Sequence, residues 1–479
     1  MGTTYVFNSG KNEPVLNELD LTYGMFFDGT GNNLRNTEIR KKVQQVDEYK
    51  NEEATSAEKK IYKKKGLTIF KNEKNNSFKN DFSNVARMNL CCTEAYRIYT
   101  EGIGTTDEKS DSLILGQALG KGSTGVIEKV KKGCESLAKR IKKKIESEDD
   151  IEQLIVTLDA YGFSRGAAAA RNFVFEVQKS AGQPKLRTTP GNYSQTYQTD
   201  ELGNTINNND LIDGLLPPFG FLGIQLKRNG IHDDLIKNMI LNIRFVGLYD
   251  TVAAYGIRHS NDAKELSLNE LGSPRQVVHF TAMDEERKKF PLTRTNIGIE
   301  KRFPGVHSDI GGGYDNGAED KNKLLGIGYG NYFSENNTLE NTKNKFIEEG
   351  WYTNEQLTIV PMSDFSGELR LYANRKNIKK EYSYILLHFM EGYAKDHLIK
   401  NEFKYSTEIK YKILDTTLTT AKGILENYIE NKRREWTLVG DNSSDDRTLK
   451  RLRNEYLHRS SEVGSFVNSP AKEGNRLIY

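Results

Sequence analysis

Cysteine is scarce: Cys91, Cys92 and Cys134 are an odd set of three in 479 residues, two of them adjacent and none at metal-ligand spacing. An adjacent pair does not bridge itself in a relaxed backbone, so a disulfide framework and a structural zinc site are excluded. Reduced, structural thiols are expected. Charge of one sign is also lacking, since 69 Lys and Arg face 66 Asp and Glu for a formal net charge of +3, which gives no long-range pull towards nucleic acid. No apolar run approaches the roughly 20 residues of a membrane-spanning helix. Met1-Gly-Thr-Thr-Tyr-Val-Phe-Asn has neither the basic start and apolar core of a secretory leader nor the myristoylation pattern. The expectation is a protein made in the cytoplasm without signal peptide or transmembrane helix.

What is present is enough apolar residue, 36%, to bury a large core. One stretch stands out. Leu154-Ile-Val-Thr-Leu-Asp-Ala-Tyr-Gly162-Phe-Ser164-Arg-Gly166-Ala-Ala-Ala-Ala170 is an apolar, β-branched run, a Gly-x-Ser-x-Gly and four alanines. It reads as strand, sharp turn and helix, which lifts Ser164 out of the turn as a nucleophile must be. The bare pattern arises by chance on the order of 0.1 to 0.2 times in a chain of this length, so the flanking strand and helix carry the argument.

Upstream, Leu19–Phe27 reads as a strand that ends in Asp28-Gly29-Thr30-Gly31-Asn32-Asn33. Such a loop is either a phosphate-cradling nest or the source of an oxyanion donor, and no Gly-Lys-Ser/Thr follows to favour the nucleotide-binding kind. Residues 40–81 are rich in Lys, Glu and Asn and read as a solvated surface insertion. A helix from about Phe82, a short strand at Tyr96–Tyr99 and a long helix after Gly116–Gly122 with a lysine-coated outer face lead to the Ser164 strand. The order is that of a doubly wound sheet.

Beyond the Ser164 helix, 180–240 reads as a second insertion containing Leu215-Leu-Pro-Pro-Phe-Gly-Phe-Leu222, with Phe219, Phe221 and Leu222 as candidates for the pocket rim of an apolar substrate or for local burial. Leu241–Tyr249 is a strand that delivers Asp250 at its C-terminal end, Val277–Met283 is another, and Ile297–Phe303 runs into Pro304-Gly-Val-His307-Ser-Asp-Ile-Gly-Gly-Gly-Tyr314. A histidine on a glycine-rich loop after a strand suits catalysis better than a core. The fold expected is an α/β-hydrolase, mostly parallel and doubly wound, with helical insertions over 1–315 and a mixed, mainly helical region over 316–479 packed on it. Within the latter, Glu381–Ala394 is a helix, and the stretch after Tyr456 is a loop pinned by Phe466 and Ile478.

Ser164, Asp250 and His307 occur in the chain order of α/β-hydrolase triads. A serine hydroxyl needs a base, and the base needs a carboxylate to hold its tautomer. The rival acids are Asp309, too close to His307 in sequence for easy contact with its Nδ1, and Asp28, at the glycine loop. His279 and His388 sit mid-strand and mid-helix and read as structural.

The motifs Phe26-Phe-Asp-Gly-Thr-Gly-Asn-Asn33, Tyr99-Thr-Glu-Gly-Ile-Gly-Thr105, Gly162-Phe-Ser-Arg-Gly-Ala167, Phe245-Val-Gly-Leu-Tyr-Asp-Thr-Val252 and Phe303–Tyr314 run in order from about residue 20 to 315. In them the chain resembles the α/β-hydrolases that include the first class of type VI secretion phospholipase effectors. The resemblance implies that Ser164, Asp250 and His307 form the triad and that the reaction is hydrolysis of glycerophospholipid acyl esters, of phospholipase A type. It also implies a phospholipid membrane surface as substrate, a secretion-apparatus protein and an inhibitory immunity protein as partners, and export by a type VI apparatus into a target-cell periplasm. The backbone N–H of Arg165, with Gly29 or Thr30, is expected to form the oxyanion hole. No metal or other cofactor is called for, nor nucleic acid as a partner. The alternatives are a soluble esterase or thioesterase and a catalytically silent hydrolase-like interaction protein.

Overall fold

The computed structural model describes residues 17–69, 77–109, 111, 125–189, 195–253, 263–329, 338–362, 367–396, 400–465, 468–471 and 475–479. The Gly116–Gly122 segment and Phe466, both singled out above, lie outside them. The chain forms two compact units, one of residues 1–22, 134–157 and 177–242, the other of 23–133, 158–176 and 243–479. The second unit contains residues on both sides of position 315.

A six-stranded sheet has the order Arg97–Thr100, Glu18–Phe27, Gln153–Phe163, Ile240–Tyr249, Gln276–Ala282, Ile299–Phe303. Glu18–Phe27 with Arg97–Thr100, Ile240–Tyr249 with Gln276–Ala282, and that strand with Ile299–Phe303 pair in parallel. Their burial explains the sequence: Met25, Phe26, Phe27, Phe245, Val246, Leu248 and Tyr249 are all enclosed, as in a sheet covered on both faces. Helices follow strands as expected, with Val126–Ile145 preceding the Ser164 strand and Arg165–Glu176 following it.

Three regions depart from the sequence reading. Residues 34–69 hold two helices, Leu34–Gln44 and Ser56–Ile69, and the charged composition of 40–81 conceals buried ion pairs. Lys41 and Lys380 meet Asp81 at 2.5 and 2.8 Å, and Arg87 meets the same carboxylate at 2.9 Å. Pairing lets charge be buried there, which composition alone does not reveal. The region after 316 contains a three-stranded antiparallel sheet, with Glu368–Ile378 between Ala318–Tyr329 and Leu357–Pro361. In the first unit, Lys185–Thr188, Thr196–Thr199 and Thr205–Ile206 form another small sheet, and the run after Pro218 becomes the helix Gly220–Arg228.

Candidate active site

Ser164 sits between the strand Gln153–Phe163 and the helix Arg165–Glu176 with φ 59°, a left-handed conformation costly for a side chain with Cβ. The glycines of its motif are there because atoms crowd them. A Cβ on Gly166 would lie 2.3 Å from the Asp28 carbonyl oxygen, and one on Gly162 would lie 2.5 Å from Ala167 Cα. The Ser164 N–H donates to the Tyr249 carbonyl at 3.0 Å, which fixes the elbow beside the strand end that carries Asp250.

Asp250 has φ 41° and is fully buried. Its Oδ2 accepts from His307 Nδ1 at 2.5 Å and its Oδ1 from the Ala282 N–H at 2.9 Å. Arg476 adds a fork, Nη1 to Oδ1 at 2.7 Å and Nη2 to Oδ2 at 2.8 Å. Burial alone would push this carboxyl up, but Arg476 and His307 outweigh burial and hold it well below the usual carboxylate range. His307 is shifted downwards, first by its own burial, with the Asp250 hydrogen bond opposing. A simple ion pair would raise the imidazole instead. Because Arg476 anchors the charge on Asp250, the geometry fits an ionised carboxylate accepting from a neutral imidazole. An ionised carboxylate only accepts, so the proton sits on Nδ1 and Nε2 keeps its lone pair. That is the resting state a general base needs.

The ring of His307 is held by Phe163, the residue before Ser164, at 4.6 Å between centroids, and by Phe290 at 5.0 Å edge-on. Its backbone N–H donates to buried Glu285 at 3.2 Å, a carboxylate that Arg287 grips at 2.9 Å through two nitrogens. Phe163 ties the motifs together, since Cβ atoms on Gly29 and Gly311 would lie 2.5 and 2.1 Å from its ring. Three glycine-containing motifs thus converge on one phenylalanine.

The rival acids are occupied elsewhere. Asp28 accepts from Gly29 N–H at 2.7 Å, Ser83 Oγ at 2.5 Å and Tyr99 Oη at 2.5 Å, and burial pushes its carboxyl up to about 6 against those bonds. Asp309 receives His458 Nδ1 at 2.7 Å and the N–H groups of Val306 and His458, both at 3.0 Å. Asp28 also corrects one expectation: with the Gly29 N–H turned into its carboxylate, Gly29 is removed from the oxyanion donors. Thr30 is the loop residue left beside Arg165, which opens its helix, and the buried Thr30 hydroxyl has no partner among the described residues. Phe219, Phe221 and Leu222 belong to the first unit, where Leu222 is fully enclosed and Phe219 is half-buried in front of the helix Gly220–Arg228.

Two further buried histidines have partners of their own. His279 accepts the Thr251 N–H at 3.1 Å and faces Glu300 at 3.1 Å, and His388 faces the Tyr411 carbonyl at 2.9 Å. The grouping of Asp47, Asp81 and Asp315 resembles a cation cradle, but Lys41, Lys380, Arg40 and Arg87 already neutralise it. Arg476 and Glu285 escaped the sequence reading. Glu285 lies three residues past the end of the strand Gln276–Ala282 and was findable on that ground, whereas nothing local marks Arg476.

Among the described residues no helix is long and apolar enough to cross a membrane. No curated protein matches the chain in sequence. Among solved structures, the Tle1 effector bound to the VgrG spike of the type VI secretion system is 18% identical with a TM-score of 0.58, over 100% of this chain and 98% of that one. An uncharacterized protein from Pseudomonas aeruginosa is 15% identical over 87% of this chain and 51% of that one, with a TM-score of 0.38. The model of the Tle1-like type VI secretion phospholipase effector catalytic domain matches residues 25–327, and the chain belongs to that family of ester-hydrolysing lipase effectors.

Proposed function

We propose that Ser164, Asp250 and His307 are the triad of a phospholipase A, which cleaves an acyl ester of a glycerophospholipid. The observation that carries this reading is the 2.5 Å bond from His307 Nδ1 to a buried Asp250, beside a serine held at φ 59°. Ser164 Oγ attacks the ester carbonyl as His307 Nε2 takes its proton. The tetrahedral oxyanion is met by the N–H of Arg165 and of Thr30. His307 then returns the proton to the departing lysophospholipid oxygen, and water repeats the cycle to release the fatty acid. Phe219, Phe221 and Leu222 are the candidates for the acyl-chain path.

The core and elaborations divide, on this reading, into a catalytic part over 1–315 with insertions at 40–81 and 180–240, and a region over 316–479 that supports it. The Tle1 relative is solved bound to a VgrG spike. Carriage by such a spike, delivery to a target-cell periplasm, and neutralisation by an immunity protein in the producing cell are proposed here too. The test is product analysis by mass spectrometry on a defined mixed-acyl phospholipid, with fluorophosphonate labelling in parallel. Release of one fatty acid and a lysophospholipid, with both label and products lost in Ser164→Ala, is expected. Headgroup or phosphate release would overturn the acyl-ester reading, and labelling that survives Ser164→Ala would overturn the nucleophile.

A further inference from the structure

The Asp250 carboxylate is completed by a side chain outside the region that matches the catalytic-domain family, 226 positions further along the chain. Residues 475–479 run along 290–294 as an added strand: the Leu292 N–H donates to the Leu477 carbonyl at 2.9 Å, Tyr479 N–H to Leu292 at 2.8 Å and Arg294 N–H to Tyr479 at 2.9 Å. The partner segment is itself tied to the strand end of Asp250, through the Thr293 N–H and the Thr251 carbonyl at 2.9 Å. The side chains of this added strand are disposed unevenly. Leu477, Ile478 and Tyr479 are 47%, 58% and 45% exposed, whereas the Arg476 side chain is only 7% exposed. Apolar burial therefore does not explain the docking. The backbone ladder sets the register, and that register turns one side chain inwards, where Nε donates to the Phe290 carbonyl at 2.7 Å and the two Nη atoms grip Asp250.

A bidentate fork does two things that a lone cation does not. It sets the plane of the carboxylate, and so the direction in which Oδ2 meets His307 Nδ1. It also offsets a charge that the buried site would otherwise neutralise by taking up a proton. We propose that Arg476 is a positioning residue for the hydrolytic reaction: its guanidinium fixes the Asp250 carboxylate in the orientation that holds His307 and compensates its buried charge. The proposal rests on the triad reading given above.

The charged and titratable groups around Asp250 are His307 and Arg476 in direct contact, with His279, Glu285 and Arg287 close by. Removing Arg476 leaves two buried carboxylates, Asp250 and Glu285, with Arg287 committed to the second. Asp250 then takes up a proton at higher pH than before. A protonated Asp250 neither orients His307 nor stabilises its charged form, so the acid limb of the rate profile moves upwards.

The experiment compares Arg476→Gln and Arg476→Lys with wild type in kcat and KM across pH 4 to 9 on phospholipid micelles, with Tm and fluorophosphonate labelling. For Gln, which removes the charge and the fork, the expected result is a kcat loss of about 100-fold, KM within about twofold, and an acid limb displaced upwards by about one pH unit. For Lys, which keeps the charge and loses the fork, a loss of about 10-fold with the limb unmoved is expected. Lys with wild-type kcat, or Gln with an unmoved limb and a loss that follows Tm alone, would overturn the proposal. Should Gln fail to fold, the Lys variant decides by its kcat. Failure of the triad reading is distinguishable, since it is read from residual activity in Ser164→Ala and not from Arg476.

Discussion

Among the described residues, two buried histidine–aspartate pairs lie in the same unit, alike in distance and burial. His307 meets Asp250 at 2.5 Å and His458 meets Asp309 at 2.7 Å, and Asp309 is only two residues from His307. What surrounds them differs. Asp250 and Ser164 are both held at positive φ, while Asp309 lies in the regular turn His307–Gly311. The His307 ring touches Phe163, next to the serine, whereas the His458 ring lies flat on Tyr314 with centroids 3.7 Å apart and its Nε2 has no partner among the described residues. Ser460, the nearest serine to His458 in sequence, donates to Glu285 at 2.9 and 3.0 Å. A histidine–carboxylate pair is therefore not a site by itself. On the proposed reading, backbone strain at Ser164 and Asp250 separates the pair assigned to catalysis from the pair that fastens the His307 loop to the segment around 458.

The contrast is broken most directly by alanine. Ser164→Ala and His307→Ala are each expected to lower kcat by about four orders of magnitude or more with Tm nearly unchanged, because members of a triad do not replace one another. His458→Ala is expected to keep activity within about tenfold and to lose stability by about 1–3 kcal/mol, since it takes the imidazole donor from buried Asp309 and leaves it only backbone N–H groups. A dead His458→Ala that folds normally would reverse the assignment. The acids should divide in the same way. Asp250→Asn favours the wrong tautomer of His307 and is expected to cost about 10⁴ in kcat, on the scale seen in serine-protease triads. Asp309→Asn is expected to cost less than about tenfold in kcat while lowering Tm. Steady-state kinetics with thermal melts on the five variants checks both halves.

A smaller effect comes from pH. His307 is held below its ordinary value by burial, so it remains an unprotonated base to lower pH than a free imidazole. The acid limb of kcat/KM, which reports the free enzyme, is expected to have its midpoint below about 6.5. The same shift enters stability: the unfolded histidine takes up its proton first, so this contribution is complete above about 6.5 and is lost as pH falls through the folded value. A limb at or above the ordinary histidine value would mean that burial does not hold His307 down, and would remove the low-pH reach argued for it as a base.

Much of this was legible in the sequence because local chemistry carried it. The elbow, the Asp250 strand end and the glycine loop of His307 each announce themselves within ten residues. The same locality explains the failures. Arg476 joins Asp250 through an added strand whose exposed Leu477, Ile478 and Tyr479 look like an ordinary loop. Gly29 read as a donor because its loop has the right composition, but the direction of its N–H depends on Asp28, which Ser83 and Tyr99 hold in place. Lys41 and Asp81 read as solvent-facing because charge usually is, whereas pairing with Arg87, a helix turn or two on, and with Lys380, far along the chain, makes their burial tolerable.

The smallest expected effect separates the chemistry of the triad from access to it. Phe219 precedes the helix Gly220–Arg228 at φ 71°, and its N–H donates to the Lys179 carbonyl at 2.7 Å. A phenylalanine is an expensive residue for a left-handed position, where Asn is far better tolerated. Phe219→Asn therefore removes the half-buried ring without adding backbone strain, whereas Phe221 or Leu222 replaced by a polar residue would open the enclosed packing of their own unit. If the Phe219 ring meets the acyl chain, kcat/KM on a long-chain phospholipid falls about three- to tenfold, the loss of part of one apolar contact. Turnover of a short soluble ester stays within about twofold and Tm does not drop, because the ester-cleaving residues are untouched. Equal loss on both substrates would make the ring part of the scaffold, and no loss on either would remove Phe219 from the acyl path.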